Sequence, residues 1–381
     1  MRKVFKKLHL WLALPVGLII TITCLTGALL IFEQEINEIR NPELYSVTPS
    51  GEALPLAELS RKVASTLPDS VEITGITVSQ SPERSYRFSL SKPHRASIFV
   101  NQYTGENLGR QERAEFFTVM FRLHRWLLMP RPEGKDDIFW GKMIVGVSTL
   151  FCVILFITGV VIWVPKNKNK WKSRFRIALN KGWARFWHDL HVSGGFYITI
   201  VLLAITLTGL TWSFQWYRNG FYAVFGVETK KESSKQPKPD EDKGKKERIE
   251  RGERNRPDSN TQYIAWDNVL RSLKKSNPEF LEISLSDKGA NVKNNSCGNT
   301  RGSDSYEFDK STGDITSVKL YKDLPTSGKI RGWIYAVHVG AWGGMAMRII
   351  YFIMVIVAAT LPITGYYIWI KKRMKKEENS K

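Results

Sequence analysis

The sequence predicts an α-helical membrane protein with four transmembrane helices, arranged as a duplicated parallel repeat, and two extracytoplasmic α+β modules. Three observations lead to this fold class: four long apolar segments, basic residues in the short connections, and a tripeptide that recurs in each apolar segment. The apolar segments contain no Asp, Glu, Lys or Arg, and each reaches the roughly 20 residues that cross a hydrocarbon layer about 30 Å thick. They are residues 8–32, 143–165, 192–217 and 349–370.

The distribution of Lys and Arg predicts the orientation of these segments. Residues 1–7 hold four Lys or Arg, the connection at 166–186 is basic without an acid, and the tail at 371–381 is rich in lysine. Because Lys and Arg are retained on the cytoplasmic side, both termini are expected inside the cell and the loops at 33–142 and 218–348 outside it. The first apolar segment is interpreted as an uncleaved signal anchor, because it is long and no signal-peptidase motif follows it.

Each apolar segment carries the same type of tripeptide, Leu or Ile followed by Thr and Gly, near its C-terminal end. The four copies are residues 25–27, 157–159, 207–209 and 363–365. Such small residues allow helices to approach each other closely. The two outside loops also resemble each other, since each has the pattern of one helix followed by short strands. The chain is therefore expected to contain two copies of segment, module and segment in the same orientation.

These patterns divide the chain into consecutive regions. The predicted transmembrane helices are 8–32, 138–165, 187–217 and 333–370, the outside modules are 33–115 and 218–332, an interfacial helix and loop occupies 116–137, and the cytoplasmic segments are 166–186 and 371–381. Residues 228–257 are highly charged and lack aromatic side chains, so they are expected to be disordered. Because the net charge of +20 lies largely in this tract and beside the membrane, nucleic acid is not an expected partner. The three cysteines form no spaced framework, so neither disulfides nor a zinc site is expected.

Four of the six histidines fall at matching positions in the two halves. His9 and His191 each stand 17 residues before the threonine of a tripeptide, at the cytoplasmic face. His124 and His338 precede the second and fourth apolar segments, at the external face. A matched pair of imidazoles at each face is expected when two helices hold one haem b between them, with the iron six-coordinate and closed to oxygen. His94, in the first outside module, is interpreted as a solvated loop residue.

The sequence thus predicts two haems and an electron path across the lipid bilayer. His188 lies three residues before His191 on about the same helix face, so either one could be the ligand. The duplication favours His191, which leaves His188 beside a propionate or orienting the ligand. Arg125 and Arg348, at the external face, are candidate partners of the haem propionates. The alternative for these arginines is snorkelling toward lipid headgroups, and for a single histidine it is an interfacial polar role.

Five stretches, in this order, carry a family resemblance: "HLWLALPVGLIITITCLTGALLIFEQEI", "LHRWLL", "ITGVVIWVPK", "HDLHVSGGF" and "ITGYYIWIKK". They resemble the PepSY-associated transmembrane family, the iron-regulated membrane proteins that include ferric-siderophore reductases. The resemblance implies an inner-membrane protein of a Gram-negative-type bacterium that binds haem and passes electrons outward to iron held by a siderophore in the periplasm. It carries His9, His124, His191 and His338 onto the family's histidine positions and His188 onto its H-D-L-H pair. The charged tract departs from the family pattern.

The electron donor and the overall activity leave alternatives. Electrons are expected from a separate donor, either a reductase or a quinol, because no G-x-G-x-x-G follows a predicted strand. Reduction releases iron from hard oxygen ligands, since Fe(II) has the lower charge. The alternative function is a membrane-anchored regulator of extracytoplasmic proteases, because the outside modules resemble those of protease propeptides. A siderophore transporter is disfavoured, since none of the four segments is interrupted.

Overall fold

The computed structural model describes residues 1–93, 96–111, 113–134, 137–167, 169, 171–228 and 259–379. The expected disorder of 228–257, apart from its first residue, and the expected position of His94 lie outside the described residues. The chain divides into two compact units. The helical unit comprises residues 1–35, 113–227 and 331–381, and the sheet unit comprises residues 36–112 and 228–330.

The secondary structure alternates between long helices and two groups of strands. The helices are α1 (Arg2–Ile31), α2 (Glu33–Arg40), α3 (Pro42–Tyr45), α4 (Leu56–Ala64), α5 (Glu115–Trp126), α6 (Trp140–Trp163), α7 (Trp171–Phe175), α8 (Trp183–Asp189), α9 (Gly195–Ser213), α10 (Gln215–Val224), α11 (Ser259–Ser276), α12 (Thr326–Val339) and α13 (Gly344–Glu378). A π-helical turn, Leu190–Gly194, joins α8 to α9. The strands are β1 (Ile73–Ser79), β2 (Tyr86–Leu90), β3 (Ser97–Val100), β4 (Asn107–Gln111), β5 (Glu282–Ser286), β6 (Gly289–Lys293), β7 (Asp304–Phe308) and β8 (Ile315–Lys319).

Among the residues that the structure describes, four helical segments are long and apolar enough to cross a membrane. They are span 1 (Arg2–Ile31), span 2 (Trp140–Trp163), span 3 (Trp183–Ser213) and span 4 (Ala341–Lys375). Their number confirms the sequence prediction, and the chain is a multi-pass membrane protein. Span 1 begins before the predicted residue 8 and span 4 continues past the predicted residue 370, because Lys and Arg are good helix formers and extend a helix beyond its apolar part.

The spans pack around one another so that spans 1 and 3 each contact spans 2 and 4. Small and aliphatic side chains form the core between them: Ala28, Ile198, Leu202, Val355 and Ala358. Because lipid is as apolar as these side chains, such packing is stabilised by van der Waals contact rather than by exclusion of water. α5 packs on spans 1 and 2, which places its C-terminal residues beside the membrane helices.

The sheet unit holds one antiparallel sheet of eight strands, in the order β4-β3-β2-β1-β5-β6-β7-β8. Apolar residues of α4 and α11, including Leu59 and Trp266, form one buried core with inward-facing strand residues such as Phe88 and Ile283. The sequence predicted a small sheet in each of two modules. The structure joins the two strand groups instead, because β1 pairs with β5 along its length. This pairing satisfies backbone groups that two separate sheets would leave at exposed edges.

Candidate functional site

Two histidine pairs lie in the helical unit, and each pair combines residues that are far apart in the sequence. The rings of His9 and His191 have centroids 6.4 Å apart, with 89° between their planes. The rings of His124 and His338 have centroids 6.2 Å apart, with 64° between their planes. All four residues are partly buried. The structure therefore brings together the same pairs that the duplication suggested.

In the first pair, Nδ1 of each histidine faces the threonine of a tripeptide on a neighbouring span. His9 Nδ1 lies 2.9 Å from Thr158 Oγ1 on span 2. His191 Nδ1 lies 3.0 Å from Thr364 Oγ1 on span 4, and also 3.0 Å from the carbonyl oxygen of Leu361. Through Nδ1, the His9 ring is thus anchored to span 2 and the His191 ring to span 4.

In the second pair, main-chain carbonyls are the nearest acceptors. His124 Nδ1 lies 2.9 Å from the carbonyl oxygen of Thr23 on span 1. His338 Nδ1 lies 2.9 Å from the carbonyl oxygen of Ile205 on span 3 and 3.3 Å from Thr208 Oγ1. Each of these carbonyls belongs to the residue three positions before the threonine of a tripeptide. The four histidines therefore use one common type of anchor.

The glycine of each tripeptide makes room for an imidazole ring. A Cβ atom built on these glycines would lie 2.9 Å from His124 Cε1 at Gly27, 3.1 Å from His338 Cε1 at Gly209, 3.2 Å from His191 Cε1 at Gly365 and 3.5 Å from His9 Cε1 at Gly159. From the sequence, the tripeptide predicts only close packing of helices. Its direct contact with the histidines was missed, although the equal number of tripeptides and matched histidines was a signal for it.

The hydrogen bonds determine which ring nitrogen is free. A carbonyl oxygen can only accept, so a ring nitrogen that faces one carries the proton. The Thr158 hydroxyl donates its own hydrogen to main-chain carbonyls of span 2, at 2.9 and 3.1 Å, and therefore accepts from His9 Nδ1. A neutral imidazole protonated on Nδ1 keeps the Nε2 lone pair available to a metal. Burial lowers the pKa of His124 below its ordinary value, which favours this neutral form.

The spacing within each pair suits two imidazoles that share one metal ion. A transition metal lies about 2 Å from an imidazole nitrogen and the ring centre lies roughly 1.1 Å farther back, so two rings on opposite sides of a metal have centres about 6.3 Å apart. The observed separations of 6.4 and 6.2 Å match this value. Among the described residues, no group of three or more His, Cys, Asp or Glu could hold a metal ion by itself. A two-histidine site of this kind suits a metal whose other ligands come from a macrocycle.

The two pairs lie near opposite ends of the spans. His124 packs against Gly27, which is eighteen positions after His9 on the same helix. At a rise of about 1.5 Å per residue, eighteen positions correspond to about 27 Å. His338 packs against Gly209 on span 3, eighteen positions after the other member of the first pair. The two pairs are therefore separated along the spans by nearly the thickness of a hydrocarbon layer, which is about 30 Å.

The structure distinguishes His188 from His191. The π-helical turn Leu190–Gly194 begins between them, and such turns occur frequently at functional sites. His188 Nδ1 lies 3.2 Å from Oδ1 of the buried Asp189, and the His188 side chain is 46% exposed. His191 is therefore the residue whose ring faces His9, whereas His188 lies outside the pair beside a carboxylate.

The two arginines singled out in the sequence have different surroundings. Arg348 forms a two-pronged ion pair with Glu35, in which Nη2 lies 2.7 Å from Oε2 and Nη1 contacts Oε1. This pair connects the end of span 1 to the start of span 4, so a carboxylate of the protein already neutralises the Arg348 guanidinium. Arg125 lies over aromatic rings, 5.7 Å from the centroid of Phe121 and 5.9 Å from that of Trp126. Its contact with a propionate stays a prediction.

Comparison with known proteins adds a family to this geometry. Residues 6–372 match the family model described as the PepSY-associated TM region. The match includes all four spans' tripeptides and both histidine pairs. None of the curated proteins matches the chain. Because the matched region covers nearly the whole chain, this protein belongs to the PepSY-associated transmembrane family.

Proposed function

We propose that this protein is an electron-transfer protein of the bacterial inner membrane that holds two haem b groups and reduces ferric iron bound to a siderophore, or to another chelator, in the periplasm. The observation that carries the proposal is the pairing of four imidazoles whose Nδ1 atoms are hydrogen-bonded and whose Nε2 atoms have no hydrogen-bond partner among the described residues. The sequence resemblance to ferric-siderophore reductases points to the same activity.

In this proposal His9 and His191 would hold one haem iron, and His124 and His338 would hold the other. A haem with two imidazole ligands supplies reversible one-electron transfer at an iron that is closed to oxygen. The tripeptide threonines and the main-chain carbonyls hold the Nδ1 protons, which fixes the ring orientation and makes each imidazole a stronger ligand. With one pair near each membrane surface, the histidines suit transfer of electrons from one side to the other.

The distribution of basic residues supports an orientation of the two histidine pairs in the membrane. The basic connection at 166–186 and the basic termini favour a cytoplasmic position for the His9–His191 pair. Electrons then enter from a separate reductase or a quinol on the cytoplasmic or membrane side. The His124–His338 pair lies at the periplasmic end, where the ferric chelate accepts the electron. The product Fe(II) is held less tightly by oxygen ligands because of its lower charge.

We also propose that the chain is a duplicated parallel repeat with two PepSY-like modules. Each half of the sheet unit contributes one covering helix followed by four strands. In the helical unit, His9 packs on span 2 and His124 on span 1, while His191 packs on span 4 and His338 on span 3. Each histidine is thus anchored within its own half and paired with the matching histidine of the other half, as a two-fold repeat requires.

An absorption spectrum with a pyridine haemochrome count tests the haem proposal on the purified full-length protein. We expect two haems b per chain, with a Soret band and sharp reduced α and β bands of six-coordinate iron. His9→Ala is expected to remove one haem and His124→Ala the other. His188→Ala is the matched control and retains both, because its side chain lies outside the pairs. A colourless protein would overturn the proposal and favour the regulator of extracytoplasmic proteases.

The ferric-reductase activity needs a separate measurement. The protein is reduced with dithionite under anaerobic conditions, the excess reductant is removed, and ferric citrate is added in a stopped-flow spectrometer. Reoxidation of the haem bands with stoichiometric formation of Fe(II) is the expected result. A protein that contains both haems but stays reduced in the presence of ferric citrate and of ferric siderophores would transfer electrons to another acceptor, and the reductase assignment would be wrong.

A further inference from the structure

Four cations gather at the end of the helical unit that carries the His124–His338 pair. They are Arg125, Arg131, Lys142 and Arg218. Within the part of the chain that the structure describes, no ion pair joins any of them to a carboxylate, and Arg218 donates a hydrogen bond to Oε1 of Gln215. Retention of Lys and Arg on the cytoplasmic side accounts for basic residues at the other end, but it does not account for a cluster at this end.

Close packing brings the first two segments of the cluster together. The main chain of Trp126 lies directly against Gly141, where an added Cβ would be 2.2 Å from the Trp126 carbonyl oxygen. This contact places Arg125, at the end of α5, beside Lys142, at the start of span 2.

The end of span 3 and the following helix α10, which carries Arg218, pack against span 2 one helical turn after Lys142. A Cβ added to Gly146 would lie 2.8 Å from Phe214 Cζ, so the end of span 3 packs closely against span 2. Arg218 follows Phe214 by one turn in α10, so it lies at the same end of span 2 as Lys142. The cluster therefore draws on α5, span 2 and α10, which all belong to the helical unit.

The turn after α5 holds its two arginines against one aromatic side chain. Arg131 lies 5.0 Å and Arg125 lies 5.9 Å from the centroid of the Trp126 ring. Between them Leu127 and Leu128 have φ values of 53° and 62°, the positive-φ residues other than glycine in the described chain. Residues other than glycine rarely adopt this backbone conformation, and strained backbone of this kind is concentrated at ligand clamps and active sites. The turn thus orients both guanidinium groups before any ligand arrives.

The described acids nearby are engaged elsewhere or exposed. Glu33 pairs with Arg113 at 2.6 Å, and Glu35 is taken up by its ion pair at the start of span 4. In the loop after α5, the carboxylate of Asp137 accepts a hydrogen bond from the Gly134 amide at 3.1 Å. Glu133, in the same loop, is exposed. Cations gathered in this way attract anions.

We propose that Arg125, Arg131, Lys142 and Arg218 form an anion-binding site that selects ferric chelates with a net negative charge, so that Arg125 contacts the chelate in place of the haem propionate that the sequence suggested for it. The choice of a ferric chelate as the anion rests on the proposed function, whereas the anion site itself rests on the geometry of the cluster. Because the site adjoins the His124–His338 pair, an anionic chelate bound there lies close to the external electron-transfer centre.

Binding of gallium(III) citrate, measured by isothermal titration calorimetry, tests the site in the full-length protein held in nanodiscs of zwitterionic lipid. Gallium(III) has the charge and nearly the size of iron(III) but is not reduced, so binding is measured whether or not electrons are transferred. Arg131→Gln is expected to weaken binding about tenfold, the effect of losing one charge-assisted contact. Arg125→Gln combined with Arg131→Gln is expected to weaken it at least tenfold more. Lys181→Gln, which removes one charge from the cytoplasmic connection, is the control and leaves binding unchanged.

A second probe tests the charge selectivity. The gallium(III) complex of desferrioxamine B, whose free amine gives it a positive charge, is expected to bind at least tenfold more weakly than the citrate complex. Equal binding of the two chelates overturns the proposed site. Equal binding of gallium citrate by the wild type and by Arg131→Gln, a change at an exposed residue, also overturns it. Thermal unfolding and the haem spectrum of each variant show whether it is folded.

Nanodiscs that contain phosphatidylglycerol distinguish a chelate from a lipid headgroup as the ligand. Competition by this lipid with gallium citrate is compatible with the site, because both are anions. Binding of phosphatidylglycerol with no binding of gallium citrate in zwitterionic discs overturns the chelate assignment. Charge-selective binding of gallium citrate by a protein that fails to reduce ferric chelates supports the site and contradicts the proposed function, so the two failures are distinguishable.

Discussion

Replacing Thr158 with valine tests whether the tripeptide threonines hold the histidine ligands. Valine keeps the shape of threonine but lacks the hydroxyl that lies 2.9 Å from His9 Nδ1. Thr158 is 1% exposed, so water has no access to replace that hydroxyl. The Leu155 carbonyl, which accepts from the Thr158 hydroxyl at 3.1 Å, loses that donor in the variant and becomes an available acceptor for the His9 ring. Loss of an orienting partner weakens metal binding roughly 10- to 100-fold, and with one acceptor retained we expect the lower end, about tenfold or about 1.4 kcal/mol.

Transfer of haem from the variant to excess apomyoglobin measures this effect. We expect one haem of Thr158→Val to leave about tenfold faster than in the wild type and the other to leave at the wild-type rate. Thr199→Val is the matched control, because the Thr199 hydroxyl donates to the Gly195 carbonyl of its own helix at 2.7 Å. If both valine variants release haem at the same rate, the proposed role of the tripeptide threonine is refuted.

Three further predictions follow from the contacts in each unit. Gly27→Ala places a Cβ 2.9 Å from His124 Cε1 and is expected to remove one haem. Gly159→Ala places a Cβ 3.5 Å from His9 Cε1, an ordinary contact distance, and is expected to retain both haems. Equal haemochrome counts for the two variants would contradict the packing argument. Arg348→Met leaves Glu35 unpaired, with the two side chains 19% and 28% exposed, and is expected to lower the free energy of unfolding by about 1–3 kcal/mol without loss of haem. Loss of a haem in that variant would instead favour contact with a propionate. Asp267→Ala removes the carboxylate that accepts two amide hydrogen bonds at the start of α4, at 2.5 and 3.0 Å. We expect this change to lower the free energy of unfolding in denaturant by about 0.5–2 kcal/mol. An unchanged unfolding midpoint would contradict the capping role of Asp267.

The sequence alone determined the membrane architecture and the positions of the four matched histidines. Hydrophobic segments of sufficient length are a local property of the chain, and the four spans were therefore predicted correctly in number. The constant spacing of His9 and His191 from their tripeptides is local as well. The pairing was suggested by the duplication, since equivalent positions of two halves related by a two-fold axis approach each other at that axis.

The tertiary structure decided which contacts those residues make. His188 and His191 are only three residues apart in the sequence, so the sequence left either one as the partner of His9. The π-helical turn that begins between them accompanies different contacts: His191 faces His9, and His188 lies beside Asp189. The role of the tripeptides as anchors for the rings, the pairing of Arg348 with Glu35, and the fusion of two strand groups into one sheet were likewise absent from the sequence patterns. The physical reason is the distance along the chain: His191 meets the Leu361 carbonyl across 170 positions. Such contacts depend on the rotation and register of packed helices, which local patterns do not contain.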